Sequence, residues 1–166
     1  MTRPSEGHAP SWPIRKTPAH FPLRRALHHT SIIYLTVCTE KRKPILCRPE
    51  CHELLLTSWE KADQWKIGRY VILPDHVHLF CSPACFDSTS LDNWVKYWKT
   101  IVSRSWPNRN EQPIWQKSYW DTELRRGQSY DQKWRYVRQN PTRKGLAATE
   151  EEWLYQGELN VLNWIG

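Results

Sequence analysis

Apolar and polar positions along the chain switch between a period of two and a period near 3.6, and the switches mark a series of elements. Ser31 to Thr39, "SIIYLTVCT", is rich in β-branched residues and reads as a strand. Glu50 to Ala62 places Leu55, Leu56 and Trp59 at helical spacing, with Gly68 beyond it as a break. Tyr70 to Leu73 and His76 to Cys81 are two apolar runs joined by Pro74-Asp75, a link too tight for a parallel crossover, so they form an antiparallel pair. The clearest helix is Leu91 to Ser105, where Leu91, Trp94, Val95, Trp98, Ile101 and Val102 make one apolar stripe and Ser90 caps the start. After Pro107 and a polar loop, Ile114 to Arg125 reads as a further extended segment. A last helix opens with Ser129 and Gln132 as a capping box and ends where Pro141 bars continuation. The order β-α-β-β-α-β followed by a helix is that of the α+β, ferredoxin-like split βαβ fold. It predicts a four-stranded antiparallel sheet with two helices on one face and the C-terminal helix, which bears Tyr136, near the other.

At 166 residues the chain has the size of one domain. Residues 1–29 contain Pro4, Pro10, Pro13, Pro18 and Pro22 among scattered His and Arg, a composition that resists regular structure and reads as a flexible basic arm ahead of a folded unit over 30–166. The 24 Lys and Arg against 17 Asp and Glu give a net charge of +7, which favours polyanionic partners. Eleven Trp sharpen that picture, since rings beside basic side chains are what unpaired bases stack on, although most Trp in any domain fill its core. No charged-then-apolar leader and no apolar run of roughly 18 residues is visible, so a cytoplasmic protein with no membrane span is expected. Cys47 and Cys51, and Cys81 and Cys85, are each separated by three residues rather than the two of a zinc knuckle, and Cys38 and Cys81 fall in strand-like runs. All five cysteines are therefore expected as thiols.

The stretch "YVILPDHVHLFCS" carries the chemistry. On a strand, side chains two apart share a face, so His76 and His78 stand together while Val77 and Leu79 point into the core. Two neutral imidazoles on one face make half of a site for a divalent ion, with carboxylate or amide oxygens to complete it, but the same pair also serves as ordinary packed or hydrogen-bonded residues. On the last helix Tyr136 and Asn140 are four apart and share a face, bringing a phenol and an amide toward one point. Pro141 is expected to push Asn140 out of the α region at the frayed end of the helix.

"VILPDHVHLF" resembles the histidine-hydrophobe-histidine signature of the HUH-type single-tyrosine transposases. "WRYVRQNPTRKGL" is similar to the downstream motif of one branch, the REP-associated tyrosine transposases, in which a Tyr lies four residues before Asn-Pro and a Gly-Leu follows. "IWQKSYWD" resembles a further segment of that family, and the resemblance spans about Ile32 to Leu146. It implies a ferredoxin-like domain that binds single-stranded DNA, often as an imperfect hairpin, and cuts it with the help of Mg²⁺ or Mn²⁺. By carry-over, Tyr136 is the nucleophile that forms a 5′-phosphotyrosine, His76 and His78 are metal ligands, and Asn140 stands where related enzymes have Gln as third ligand. The free 3′-hydroxyl and the conserved phosphodiester energy would then allow strand transfer without ATP. Lys96, Lys99, Arg125, Arg126, Arg135, Arg138, Arg143 and Lys144 are the candidates for phosphate contacts, and Trp120 and Trp134 for stacking.

Two other classes compete. A non-catalytic nucleic-acid-binding module of RNA-recognition type shares the element order but should carry stacking aromatics on its central strands, where this chain has His76 and His78. A zinc hydrolase would pair the histidines with Asp75 or Glu123 and leave Tyr136 without a role. The sequence leaves monomer and homodimer open, and residues after Thr149 match no motif, with Trp153, Leu159, Leu162 and Trp164 expected to pack.

Overall fold

The computed structural model describes residues 31–124 and 130–163. The Pro-rich arm, Arg125, Arg126, Ser129 and Trp164 lie outside the described residues. The elements are β1 (Ile33–Cys38), α1 (Pro49–Lys61), β2 (Trp65–Leu73), β3 (His76–Pro83), α2 (Leu91–Ser105), β4 (Trp120–Glu123), α3 (Tyr130–Arg138), α4 (Asn140–Arg143) and β5 (Gln156–Glu158). The strands form one sheet in the order β4-β1-β3-β2-β5, antiparallel throughout. The first four in that order are the expected ferredoxin-like sheet, and β5 adds a fifth strand against β2.

The α1 and α2 helices cover one face. Val77 and Leu79 of β3 point into this layer with Leu35, Val37 and Ile72, against Leu55 and Trp59 of α1 and Trp94, Val95, Trp98 and Val102 of α2. Ile101 is half-buried beside that stripe. The Ser90 hydroxyl accepts from the Asn93 amide, so α2 begins where its cap residue predicts. Tryptophan edges lock the layer, with Trp98 against Trp59 at 5.9 Å and against Trp115 at 5.5 Å between ring centroids. Trp59, Trp65, Trp94, Trp98, Trp106 and Trp115 are all buried, which leaves Trp120, Trp134 and Trp153 as the half-exposed rings among the described residues. The cysteines are free thiols, with Cys38, Cys51 and Cys81 buried.

The opposite face is not open. Ile32, Val71, Leu73 and Phe80 form a second, smaller core with Leu124, with Tyr130 and Val137 of α3 and with Leu162 of the C-terminal segment. Trp153 packs there as expected, while Leu159 is exposed and its backbone amide caps the Gly68 carbonyl. Gly68 itself does not break the chain. It lies inside β2 at an irregularity in the pairing with β3 between Ile67 and Tyr70, where a Cβ would stand 2.6 Å from the Tyr130 hydroxyl and 2.7 Å from Leu162. The absent side chain is what lets α3 and the C-terminal segment close on the sheet.

Two further boundaries differ from the sequence pattern. The extended segment from Ile114 narrows to a strand of four residues, preceded by a single bridge between Thr39 and Trp115. Pro141 does not end helical structure. Gln139 closes α3 in an αR conformation, and α4 starts at Asn140 with Pro141 in its first turn, where the missing N–H costs nothing.

Candidate active site

The alternation of β3 fixes the geometry on which everything else rests. With Val77 and Leu79 committed to the main core, His76 and His78 must stand on the other face, beside Thr36 and Cys38 of β1 and Val71 and Leu73 of β2 in the strand register. Their Nε2 atoms are 3.1 Å apart.

The proton positions follow from the partners. Asp75 Oδ1 lies 2.6 Å from His76 Nδ1, and the other Asp75 oxygen accepts from Arg42 Nε at 2.8 Å. Burial pushes the Asp75 carboxyl up, but the hydrogen bonds from Arg42 and His76 outweigh it and hold it below its ordinary value. The carboxylate is therefore ionised and His76 carries its proton on Nδ1, which leaves Nε2 as an acceptor. Arg42 Nη2, 3.4 Å from the same Nδ1, then makes no hydrogen bond to it. His78 must donate from Nε2 to His76, so its Nδ1 accepts from the hydroxyls of Tyr34 at 2.8 Å and Thr36 at 2.9 Å. Both imidazoles are held neutral. Burial lowers each proton affinity, well below the ordinary value for His78, where His76 and the cations Lys144, Lys133 and Arg42 add to the effect.

This arrangement suits a divalent cation. Two Nε2 atoms facing one point at 3.1 Å span the edge of a coordination shell with metal–nitrogen bonds of about 2.1 Å. Asp75 behind His76 is the carboxylate partner that metal-bound histidines require, and the Tyr34 and Thr36 hydroxyls can reverse to accept from Nδ1 of His78. Beyond the pair, no group of three or more His, Cys, Asp or Glu side chains that could hold a metal is gathered among the described residues. The Asn140 amide oxygen accepts from Arg143 Nη2 at 2.9 Å.

Tyr136 reaches this face from α3. Tyr130, Trp134 and Val137 form the inner side of the helix, anchored by the Arg69 amide donating to the Tyr130 hydroxyl at 2.9 Å, and Tyr136 sits half-buried on the flank. The inner side is thus more apolar than a helix dedicated to catalysis would suggest, because it must also hold the helix down. Lys133 lies beside Tyr136 as the spacing predicts, its Nζ 5.9 Å from the Tyr136 ring centroid and 4.7 Å from that of Tyr34. The Tyr34 ring in turn stacks on His78 with centroids 5.5 Å apart. The Arg143 guanidinium covers the Tyr136 ring at 4.2 Å and donates to its carbonyl oxygen at 2.9 Å.

The other sequence candidates divide by layer. Trp120 pairs with Thr36 across β4 and β1 and so stands half-buried on the histidine face, while Lys144 is exposed near the imidazoles. Arg135 is exposed on α3. Trp134, a candidate stacking ring, instead turns inward against Phe80. Arg138 is tied to Glu150 and Glu151 of the C-terminal segment. Lys96 and Lys99 sit on α2, across the sheet from the histidines. Lys96 is exposed and pairs with Asp92, whereas Lys99 is buried and donates to the Gln116 carbonyl at 2.6 Å, a structural tie rather than a free cation. Sequence reasoning placed Lys133 beside Tyr136 without giving it a role, and missed Tyr34, Thr36 and Arg42. The alternation of β1, which places Tyr34 and Thr36 opposite Phe80 and His78, was the signal for the first two.

A chain with this sheet and this pair belongs to a defined group: the family model described as "Transposase IS200 like" matches residues 28–140, and the protein is a member of that family. DNA transposition is accordingly the setting of its activity. Among solved structures it resembles a REP-associated tyrosine transposase bound to a REP hairpin, with a TM-score of 0.65, 20% identity and 82% of each chain covered. It also resembles a proposed transposase from Deinococcus radiodurans R1, with a TM-score of 0.49, 16% identity, 75% of this chain and 95% of that chain covered. No curated protein matches the sequence. Among the described residues no helix is long and apolar enough to cross a membrane.

Proposed function

We propose that the protein cuts single-stranded DNA, presented as a hairpin, and transfers the cut strand through a 5′-phosphotyrosine on Tyr136. The observation that carries this reading is the convergence of the His76 and His78 Nε2 atoms on the sheet face that α3 crosses with Tyr136 on its flank. Tyr136 Oη attacks the scissile phosphorus, the Oη–P bond forms and the P–O3′ bond breaks. The electron pair stays on the 3′ oxygen, which takes a proton from water, and the phenol proton passes to solvent. Reversal by a second 3′-hydroxyl rejoins a strand.

His76 and His78 would hold Mg²⁺ or Mn²⁺, with the Asn140 amide oxygen as third protein ligand once Arg143 releases it. Bound there, the cation supplies charge stabilisation to the phosphoryl oxygens. Asp75, Tyr34 and Thr36 orient the imidazoles, while Lys144, Arg135 and Arg143 meet phosphates and Trp120 offers an edge-strand platform to an unpaired base. A passive module of RNA-recognition type is less well supported, because the aromatics on the central strands, Tyr34 and Phe80, are roofed by Lys133, Tyr130 and Trp134 of α3.

The test uses 3′-labelled single-stranded hairpin oligonucleotides from the DNA flanking the gene. The protein should form a detergent-resistant labelled adduct with Mn²⁺, Tyr136→Phe should form none, and hairpin binding by that variant should be nearly unchanged. An adduct retained in Tyr136→Phe would move the nucleophile elsewhere.

A further inference from the structure

Lys133 poses a question that neither the packing of α3 nor the pair of histidines answers. The helix is already anchored by Tyr130, Trp134 and Val137, so an apolar residue at 133 would seal the same interface. A solvated lysine would point outward, as Arg135 does one turn edge away. Instead the side chain is half-buried, and its Nζ lies over the Tyr34 ring at 4.7 Å and near the Tyr136 ring at 5.9 Å. The column beneath it is ordered: Tyr34 stacks on His78, and its hydroxyl is bonded to His78 Nδ1. The ammonium therefore sits beside the candidate nucleophile and over the Tyr34 ring that stacks on the candidate ligand His78, on the face where a scissile phosphate must be held.

Other cations at the site are placed differently. Arg143 lies over the outer side of Tyr136 and is occupied with the Asn140 oxygen and the Tyr136 carbonyl. Arg42 is bonded to Asp75 on the far side of His76. Lys144 is exposed and acts on both imidazoles from α4's end.

We infer that Lys133 is a catalytic residue, its ammonium contacting a non-bridging oxygen of the scissile phosphate as Tyr136 attacks; this rests on Tyr136 being the nucleophile. The phosphoryl group gains charge as the Oη–P bond forms and the P–O3′ bond breaks, and a fixed cation in a site partly closed to water stabilises that charge more than it stabilises the bound strand. Lys133 keeps its proton throughout. Among the groups facing it are Tyr34 from β1, His78 from β3 and Tyr136 from its own helix, with Arg143 and Lys144 beyond. Its half-burial over the Tyr34 ring leaves that charge poorly screened by water.

The experiment measures single-turnover adduct formation by the full chain on the 3′-labelled hairpin strand that it cleaves, and on the same strand with a methylphosphonate at the scissile position. The methyl group removes the charge that Lys133 is inferred to neutralise. Lys133→Met should slow adduct formation on the native strand by about 10²-fold while strand affinity changes little, and the methylphosphonate should restore most of the lost rate relative to wild type. Lys133→Arg, which keeps the charge, should retain most of the activity and guards against a folding defect in Lys133→Met. Wild-type rates in Lys133→Met, or the same loss on both strands, would overturn the role of Lys133 and leave Tyr136 in place. Failure of the wild-type protein to form any adduct would overturn both readings.

Discussion

Replacing Gly68 by alanine should loosen the tyrosine helix from the sheet. The added Cβ would stand 2.6 Å from the Tyr130 hydroxyl and 2.7 Å from Leu162, whereas ordinary contact begins at 3.4 Å, so the two must retreat by about 0.8 Å and about 0.7 Å. Leu162 has rotamers to spare, but Tyr130 does not move freely. Its hydroxyl accepts from the Arg69 amide at 2.9 Å, its ring packs on Phe80 with centroids 4.8 Å apart, and the Arg69 guanidinium covers it at 4.7 Å. Overpacking of this kind costs about 1–3 kcal/mol, and loss of the Arg69 hydrogen bond adds about 1 kcal/mol. Urea unfolding of Gly68→Ala should therefore show stability lower by ~2–4 kcal/mol at an unchanged slope, with the largest loss of amide protection in α3. A double-mutant cycle with Tyr130→Phe isolates the cause, because removing the hydroxyl removes the nearest atom of the clash, and the alanine should then cost clearly less. Additive losses in that cycle, or unchanged stability of Gly68→Ala, would refute the close approach and with it the account of how α3 is seated.

Other consequences follow from the same contacts. Lys99→Met should cost about 1–3 kcal/mol in urea unfolding by leaving the Gln116 carbonyl without its partner, while DNA affinity stays the same, and weakened binding at normal stability would return Lys99 to the DNA-contact set. Burial depresses the proton affinities of His76, His78 and His52 in the folded chain, so their contribution to stability is complete above the unfolded value of about 6.5 and is lost as pH falls below it. In chelator, the melting temperature should drop between pH 7.5 and 5.5, and a His76→Gln, His78→Gln double variant should show a shallower drop; an equally steep one would assign the acid lability elsewhere. Lys144→Ala should flatten the log-log salt dependence of single-strand binding by about 0.7, and an unaltered slope would remove Lys144 from the phosphate contacts.

The features legible in the sequence are those set by short-range periodicity. Alternation through Val77 and Leu79 put the two histidines together on the face away from the main core, and the stripe from Leu91 to Val102 marked the buried side of α2. What was not legible depends on partners distant in the chain. Gly68 reads as a helix stop until Tyr130 and Leu162 are seen to need its empty Cβ position. Lys99 reads as a solvent-facing cation until the carbonyls of Gln116 and Lys117 are folded over it. The β5 strand has too few residues and too little β propensity to signal itself, and exists because the edge of β2 is there to pair with it. Trp134 looks like a stacking surface on a basic helix, and the second core claims it instead.

The most direct test of the central claim is the identity of the residue that becomes linked to DNA. The protein would be incubated with its hairpin strand and Mn²⁺, the adduct digested with a protease and a nuclease, and the modified peptide sequenced by mass spectrometry. The account predicts a nucleotide joined through its 5′-phosphate to the oxygen of Tyr136, and none in the same digest of Tyr136→Phe. A nucleotide on Tyr34, Tyr130 or any other residue, or clean hydrolysis of the strand with no covalent intermediate, would contradict it.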